Sequence, residues 1–454
     1  MADVSISYKG NEIASMNESG AKTLLTGSCF CEGDITVAYT KPSGGPVEKK
    51  QINFIDYDGT LLYSYTKAEI NDMASESDLP ANPSHTGLTA QGWNWTLAQI
   101  KSQLTDAPDG DVWVGQMYIT SDGKTRIYIR LEDGRLSPEL GIGVNGTALI
   151  EWGDGTTDTV TGNDLDLVIT TQHAYSSSGY YTISISVTGE ICFVGDNNST
   201  KLLSGVSSSS RVYQNSILCV EIGNGIETIG SSAFYNCYSL AVITLPNTVT
   251  SIKGTAFNNC YSLIGAVVPN SVTDIQGSTF YYCYSLCRVS IPCSVATIPF
   301  NMFANCFSLT SITIPKTVTS IKGSVVAACY SLRTVIIPND VAALENSLFS
   351  SCYSLCSITI PNGVTSIGNE VFRNCRSISK ITIPGSVTSI GNSAFASCYG
   401  LKECHIQAIT VPTGGTGMFN NASTDFIIYV PAESLNDYQT ASNWSTYASY
   451  MQGE

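Results

Sequence analysis

The chain has 454 residues, 43% of them apolar and only 13% charged, with a net charge of −15. That length exceeds one compact core and predicts several domains. Of the 37 acidic residues 26 precede residue 200, and so acidic a chain lacks the lysines and arginines that displace phosphate counterions, which argues against a nucleic-acid partner. No run approaches the ~20 apolar residues of a membrane span, and the opening Met1-Ala2-Asp3-Val4-Ser5 shows no basic region followed by an apolar one, so no signal peptide is read there.

Residues 1–45 read as a small β module and linker. Val4-Ser5-Ile6-Ser7-Tyr8 and Asp34-Ile35-Thr36-Val37-Ala38-Tyr39 alternate in the strand period, Lys9-Gly10-Asn11 supplies a turn, and Lys41-Pro42-Ser43-Gly44-Gly45-Pro46 has linker composition. Residues 46–135 read as an α+β module. A strand through Ile52–Tyr57 reaches the turn Asp58-Gly59, helices are expected at Lys67–Ala74 and Leu97–Leu104, and two strands, Val112–Thr120 and Thr125–Leu131, close it. Asp58-Gly59, Pro83-Ser84-His85-Thr86-Gly87 and Gly92-Trp93 together resemble the internalin B-type repeats of bacterial surface proteins.

Residues 136–196 are all-β in pattern. A strand, Ala148-Leu149-Ile150-Glu151-Trp152, runs into the turn Gly153-Asp154-Gly155, and His173-Ala174-Tyr175 and Gly179 precede the alternating Tyr181–Val187. This set resembles polycystic-kidney-disease-type immunoglobulin-like domains. The resemblance implies a β-sandwich in which Trp152 fills the core and Asp154-Gly155 makes the turn.

Residues 197–431 are organised by a repeat. Eight cysteines from Cys237 through Cys260, Cys283, Cys306, Cys329, Cys352 and Cys375 to Cys398 stand 23 residues apart, and seven prolines from Pro246 to Pro384 keep the same step. A fixed period of this length marks a solenoid. Each unit has a short alternating strand such as Val289-x-Ile291, ended by Pro292, and then Val295-x-x-Ile298 and Phe303 before the cysteine. Gly254, Gly277, Gly323, Asn346, Asn369 and Asn392 mark a bend, these being residues that tolerate a left-handed backbone. Phe300 in that position, and Val326 in place of the aromatic, lead us to expect irregular geometry in two coils. The cysteines would lie one strand spacing apart, ~4.8 Å, with parallel Cβ vectors ill-suited to disulfides. They read as buried free thiols. A degenerate last repeat around Ile427–Pro431 precedes an expected helical cap at 432–454.

The pattern Ile-Thr-Ile-Pro-x-x-Val-Thr-Ser-Ile-Gly-Asn-x-x-Phe-x-x-Cys, from Ile358 and again from Ile381, closely resembles BspA-type leucine-rich repeats, Treponema-like proteins also found in gut bacteria. The fold expected is therefore multidomain: small β-rich N-terminal modules including an Ig-like sandwich, then a leucine-rich-repeat solenoid. The resemblance implies a non-enzymatic protein, extracellular or on the cell surface, whose partners are host or bacterial surface proteins or glycans. It fixes no ligand residues.

Two surfaces offer themselves for binding. The outward strand positions, Val242/Thr244, Gly265/Val267, Arg288/Ser290, Ser311/Thr313, Thr334/Ile336, Ser357/Thr359, Lys380/Thr382 and Glu403/His405, form a small, hydroxylated face. The residues following the ladder cysteines, Tyr238, Tyr261, Tyr284, Phe307, Tyr330, Tyr353 and Tyr399, with Arg376 between the last two, form an aromatic stripe. Rings supply contact area at low entropic cost, which favours the stripe as the ligand-binding edge; the same rings could instead stack on one another as outer packing. Metal sites are not expected. Cys29-x-Cys31, Cys283-x-x-x-Cys287 and Cys352-x-x-x-Cys356 lack zinc-ribbon spacing, and Asp56-x-Asp58-Gly59 lacks the distal glutamate of a calcium loop. The only histidines, His85, His173 and His405, fall in three modules, so neither catalytic residues nor a cofactor are expected. A second reading, a prophage tail or fibre protein, comes from the resemblance of Tyr8-Lys9-Gly10 and Gly33–Thr40 to the start of phage structural proteins; it would place the chain in a virion. An enzyme with a site between modules is the third.

Overall fold

The computed structural model describes residues 51–105, 111–193 and 213–454, four strands before residue 40 and short strands between 195 and 205. The turn at Lys9-Gly10, the linker at 41–46 and the pair Cys29 and Cys31 lie outside the described residues. Residues 1–49 and 50–454 form two units. In the first, Val4–Tyr8 pairs antiparallel with both Asn11–Met16 and Ile35–Tyr39, giving a four-stranded sheet with Lys22–Leu24 at one edge.

The second unit is built on a solenoid. Ten short strands, from Ile217–Glu221 to Ile427–Val430, step along one side, and nine two-residue strands, from Thr228–Ile229 to Thr413–Gly414, step along the other. The partners are one repeat apart, as in Ala266 with Val289, Val335 with Ile358 and Ile252 with Ile275. Inside, the phenylalanines form two stacks, Phe234–Phe257–Phe280–Phe303 and Phe349–Phe372–Phe395–Phe419, with neighbouring centroids 5.2–5.6 Å apart. Val326 stands in the gap between them. The ladder cysteines are buried free thiols, and from Cys260 onward each donates Sγ–H to the carbonyl of a residue in the previous coil: Cys260 to Phe234, Cys306 to Phe280 and Cys398 to Phe372 at 3.0–3.2 Å. Burial pushes the thiols of Cys352 and Cys398 up to about 12, which leaves them protonated and unreactive.

The bend departs from expectation. The glycines at 254, 277 and 323 have ordinary φ, and the left-handed residue is the next one: Thr255, Ser278, Asn301, Ser324, Ser347, Glu370 and Ser393, with φ of 53–58°. A second left-handed residue precedes each cysteine, from Asn236 to Ser397. Left-handed backbone is costly for residues with a Cβ. Here it turns each N–H toward the next coil, Ser278 donating to Phe300 O at 2.9 Å and Asn259 to Tyr281 O at 2.8 Å, so a third ladder of backbone bonds offsets the cost. Because the bend does not fall on residue 300, Phe300 needs no left-handed backbone, and its coil is regular with Asn301 at φ 55°. The coil of Val326 is equally regular, with Ser324 at 57° and Ala328 at 56°. The expected irregularities are absent at both places.

The strands between 138 and 192 are not arranged as the expected sandwich. Pro138–Glu151, Thr157–Gln172 and Gly179–Cys192 are neighbours in one seven-stranded sheet, which continues through Thr125–Leu131 into the first solenoid strand, Ile217–Glu221. The physical reason is the partner chosen by the buried face. Ile142, Val144, Ala148, Ile150, Ile183, Ile185 and Ile191 join the same core as Ile222, Ile229 and Phe234 of the first coil, so the solenoid end supplies the second layer that a sandwich would need. The residues carrying the immunoglobulin-like resemblance do meet: Trp152 is fully buried, His173 stacks on it at 4.8 Å, and Tyr175 Oη donates to Trp152 O at 2.8 Å. At the other end Leu435–Thr440 and a 3-10 turn at Ser445–Tyr450 close the core with Tyr438 and Trp444. The last strand, Met451–Gly453, extends the sheet parallel to Ile427–Val430, so the cap is part helix and part strand.

Candidate functional site

Both candidate surfaces are set by the repeat. On the strand side, side chains of alternate residues point out of the coil. In the first half of this face they meet the chain itself. A four-stranded sheet, Leu61–Thr66, Gln51–Ile55, Val112–Thr120 and Leu88–Trp93 in that order, carries helices Lys67–Asp72 and Leu97–Thr105. One face of Val112–Thr120 builds the module's own core through Val112 and Val114; the other lies on the solenoid, where Trp113 and Met117 pack with Ile55 against Val267.

The contact is close and polar. Trp113 donates its backbone N–H to Thr313 Oγ1 at 3.2 Å and its indole N–H to Ser311 Oγ at 2.7 Å. Trp95 Nε1 donates to Ile291 O at 2.9 Å, Asn94 Nδ2 to Val268 O at 3.1 Å, and Gln103 Nε2 to Ile314 O at 3.1 Å. Arg288 donates to Gly59 O at 2.7 Å, its guanidinium 5.5 Å from the Trp113 ring. Two glycines permit the approach: a Cβ on Gly265 would lie 2.6 Å from Gly59 Cα, and one on Gly115 would lie 2.4 Å from a Val267 methyl. The strand face at Gly265/Val267, Ser290 and Ser311/Thr313 is therefore buried, with Arg288 half-buried. The sequence offers these positions as part of a face open to a partner; in the structure this part of it is occupied by the chain's own module of residues 51–120. The signals available were Trp95 and Trp113 in the module and the small residues Gly265, Ser290 and Ser311 on the strands they cover.

Beyond a cleft of about 200 Å³ lined by Gln103, Lys316 and the turn 336–340, the face is open. Ser357, Thr359, Lys380 and Thr382 are exposed there. Lys380 pairs with Glu403 at 3.0 Å, and His405, stacked on Tyr429 at 4.5 Å, lies between Glu403 at 3.2 Å and Glu454 at 2.7 Å.

The aromatic edge is one continuous stack. Tyr238, Tyr261, Tyr284, Phe307, Tyr330 and Tyr353 follow one another at 4.5–4.6 Å between centroids with interplanar angles of 20° or less. The Arg376 guanidinium continues it, 4.3 Å over Tyr353 and 5.8 Å from Tyr399. Tyr261, Tyr284 and Phe307 are buried within the stack, Tyr238, Tyr330 and Tyr353 are half-buried, and Tyr399 is 54% exposed. The rings thus stack as outer packing and also present their edges. Burial raises the Tyr330 hydroxyl above its ordinary pKa, with Tyr353 and Tyr282 adding to the effect.

The three histidines remain apart, each with its own carboxylate: His85 on Asp56 and His173 on Asp154, both at 2.7 Å, and His405 as above. Among the described residues no group of three or more His, Cys, Asp or Glu side chains could hold a metal ion, and no helix is long and apolar enough to cross a membrane.

A parallel solenoid of 23-residue coils with a short strand on each side, a buried leucine (isoleucine at 378) three residues after each ladder cysteine and a thiol ladder inside defines a leucine-rich-repeat protein. The BspA type leucine rich repeat region matches residues 208–333 and 319–441, just over half of the chain. The chain belongs to that family. Solved structures similar to it include a leucine-rich repeat protein from Bacteroides ovatus ATCC 8483 (21% identity, 52% of this chain and 66% of that one, TM-score 0.43). Another is a leucine rich cell surface protein from Faecalibacterium prausnitzii A2-165 (28%, 41% and 58%, 0.32). A third is the leucine rich repeat protein of T. pallidum (28%, 36% and 78%, 0.33). The chain thus spans less than two thirds of the first two. No curated protein matches it.

Proposed function

We propose that this is a non-enzymatic recognition protein, extracellular or on a bacterial surface, that binds a protein or glycan through the aromatic edge of its solenoid. The observation that supports this reading is the unbroken run of rings from Tyr238 to Tyr353, extended by Arg376 to the exposed Tyr399. Rings already stacked lose little side-chain freedom on binding, which lowers the cost of complex formation. The edge they present is narrow and long, suited to an extended ligand crossing several coils. Tyr238, Tyr261, Tyr284, Phe307, Tyr330, Tyr353 and Tyr399 are the proposed contact residues, Tyr399 foremost because it is the one exposed ring among them.

The test is an array of glycans and host-matrix proteins probed with wild type and with a Tyr353→Ala/Arg376→Ala/Tyr399→Ala variant whose melting curve shows it folded. Binding lost in the variant supports the reading. Binding retained moves the contact to the open strand face at Ser357–His405, and no binding by either protein overturns the reading.

A further inference from the structure

We propose that the corner of the second to fourth coils holds a subsite for a neutral sugar ring, built by Tyr281 and Tyr282 and flanked by amides. The inference rests on the recognition role above and gives it a ligand class. Its starting point is a backbone anomaly. Every coil needs a left-handed residue before its cysteine, and the other coils place Asn236, Asn259, Asn305, Ala328, Ser351, Asn374 and Ser397 there. The third places Tyr282, at φ 61°. A bulky residue in this region is an outlier, and such outliers gather where function holds them. Asparagine would serve the fold better, as it does on either side.

The surroundings point to a ligand rich in hydroxyls and free of charge. The Tyr281 and Tyr282 rings are 4.2 Å apart and tilted by 47°, and Tyr282 stands edge-on to Tyr284 of the stripe at 5.8 Å. Both are half-buried, leaving aromatic surface open. The backbone ladder fixes what lies beside them, for Asn259 N–H bonds Tyr281 O at 2.8 Å and Tyr282 N–H bonds Ala304 O at 3.0 Å. Asn259 and Asn305 therefore sit one coil to either side of Tyr282, and Asn258 one coil from Tyr281. Asn258 is 8% exposed, and its Oδ1 is buried with no hydrogen-bond partner. That oxygen lies inside the coil and belongs to the packing; Asn259 Nδ2 donates to Asn236 Oδ1 at 2.7 Å, and the amides that reach the surface for a sugar hydroxyl are the half-buried Asn259, through its Oδ1, and Asn305. Over five coils the paired positions 235–236, 258–259, 281–282, 304–305 and 327–328 hold no charged residue. An aromatic face for the C–H side of a pyranose, amides for its hydroxyls and no charge nearby describe a neutral saccharide rather than an acidic one.

The experiment uses the full chain on a printed array of neutral oligosaccharides of glucose, galactose and mannose, followed by calorimetric titration of the tightest. Tyr282→Asn installs the residue of the neighbouring coils, so its melting temperature should equal or exceed that of wild type, while affinity falls roughly tenfold or more, as for a central interface aromatic. Tyr281→Ala should weaken the same oligosaccharide. Titrations by Tyr282→Asn that match wild type overturn the subsite, as does an array with no neutral sugar bound. If a protein ligand is then lost by the Tyr353/Arg376/Tyr399 variant and kept by Tyr282→Asn, the sugar subsite alone has failed and the wider recognition role stands. If no variant loses any ligand, both have failed.

Discussion

Strands Gly265–Val267, Arg288–Ser290 and Ser311–Thr313 hold the same place in their coils as Lys380–Ile383 and Glu403–Ile406 do in theirs. The first group lies under the module of residues 51–120, and the second is open. Where the face is covered, the outward residues are glycine, valine, serine and threonine with the single arginine Arg288, and the hydroxyls and the guanidinium are spoken for by an indole, an amide or a backbone carbonyl. Where it is open they are lysine, glutamate, histidine and threonine, paired across neighbouring coils. The repeat dictates the coil; what the coil faces dictates the two residues that the repeat leaves free. A solenoid is thus not one uniform surface, and here half of its strand side is already occupied in cis.

The sharpest way to break this contrast is Trp113→Ala. It removes a buried ring and the donor to Ser311, and should cost about 3–5 kcal/mol in chemical denaturation. It should also expose strands 265–313 to hydrogen exchange; unchanged exchange there would mean that the module is held by other contacts. Next in size is Gly265→Val, whose Cβ would meet the Gly59 backbone. It should destabilise by roughly 1–3 kcal/mol, whereas Ser357→Val at the equivalent open position should stay within about 0.5 kcal/mol. Equal effects at the two positions would erase the distinction. Thiol labelling at pH 8 sharpens the picture without changing stability. Of the fourteen described cysteines Cys356 alone is exposed, and it should react first, the ladder thiols only on unfolding; early labelling of Cys306 would contradict the packed interior. The smallest effect belongs to Lys380→Ala. Its pair with Glu403 is solvent-exposed on both sides, so thermal denaturation should register well under 1 kcal/mol.

The solenoid was legible because a period of 23 repeats the same physical solution, and each repeat confirms its neighbours. Cys329 could be placed inside, and Tyr330 on the edge beside it, from spacing alone. The left-handed residue was misplaced by one, since Gly254 and Asn346 are prominent in the sequence while Thr255 and Ser347 are not residues that advertise a bend. Backbone bonds to the next coil compensate those residues, and no local pattern encodes a bond between units. The module's docking was hidden for the same reason. Trp113 reads as a strand residue of its own module, Gly265 as a weak strand position, and only their meeting explains both. The immunoglobulin-like stretch carried the right local residues, Trp152, His173 and Tyr175, yet its second layer comes from the first coils rather than from itself. For the candidate site, the sequence located the aromatic edge but not which rings are free. That depends on stacking, which buries Tyr261 and Tyr284 and spares Tyr399.

The lateral clamp between Trp113 and Ser311 also divides the chain into a part of fixed size and a part whose size is open to change. Gaining or losing a whole coil between Gly265 and Lys316 would move one anchor by about 4.8 Å and separate the indoles and amides from their acceptors. A coil added or removed after Lys316 shifts nothing in the clamp, because each unit there touches only its neighbours. Duplication or deletion of 23-residue segments is therefore tolerated only on the far side, and reach becomes adjustable in steps of one coil while the clamped base stays constant.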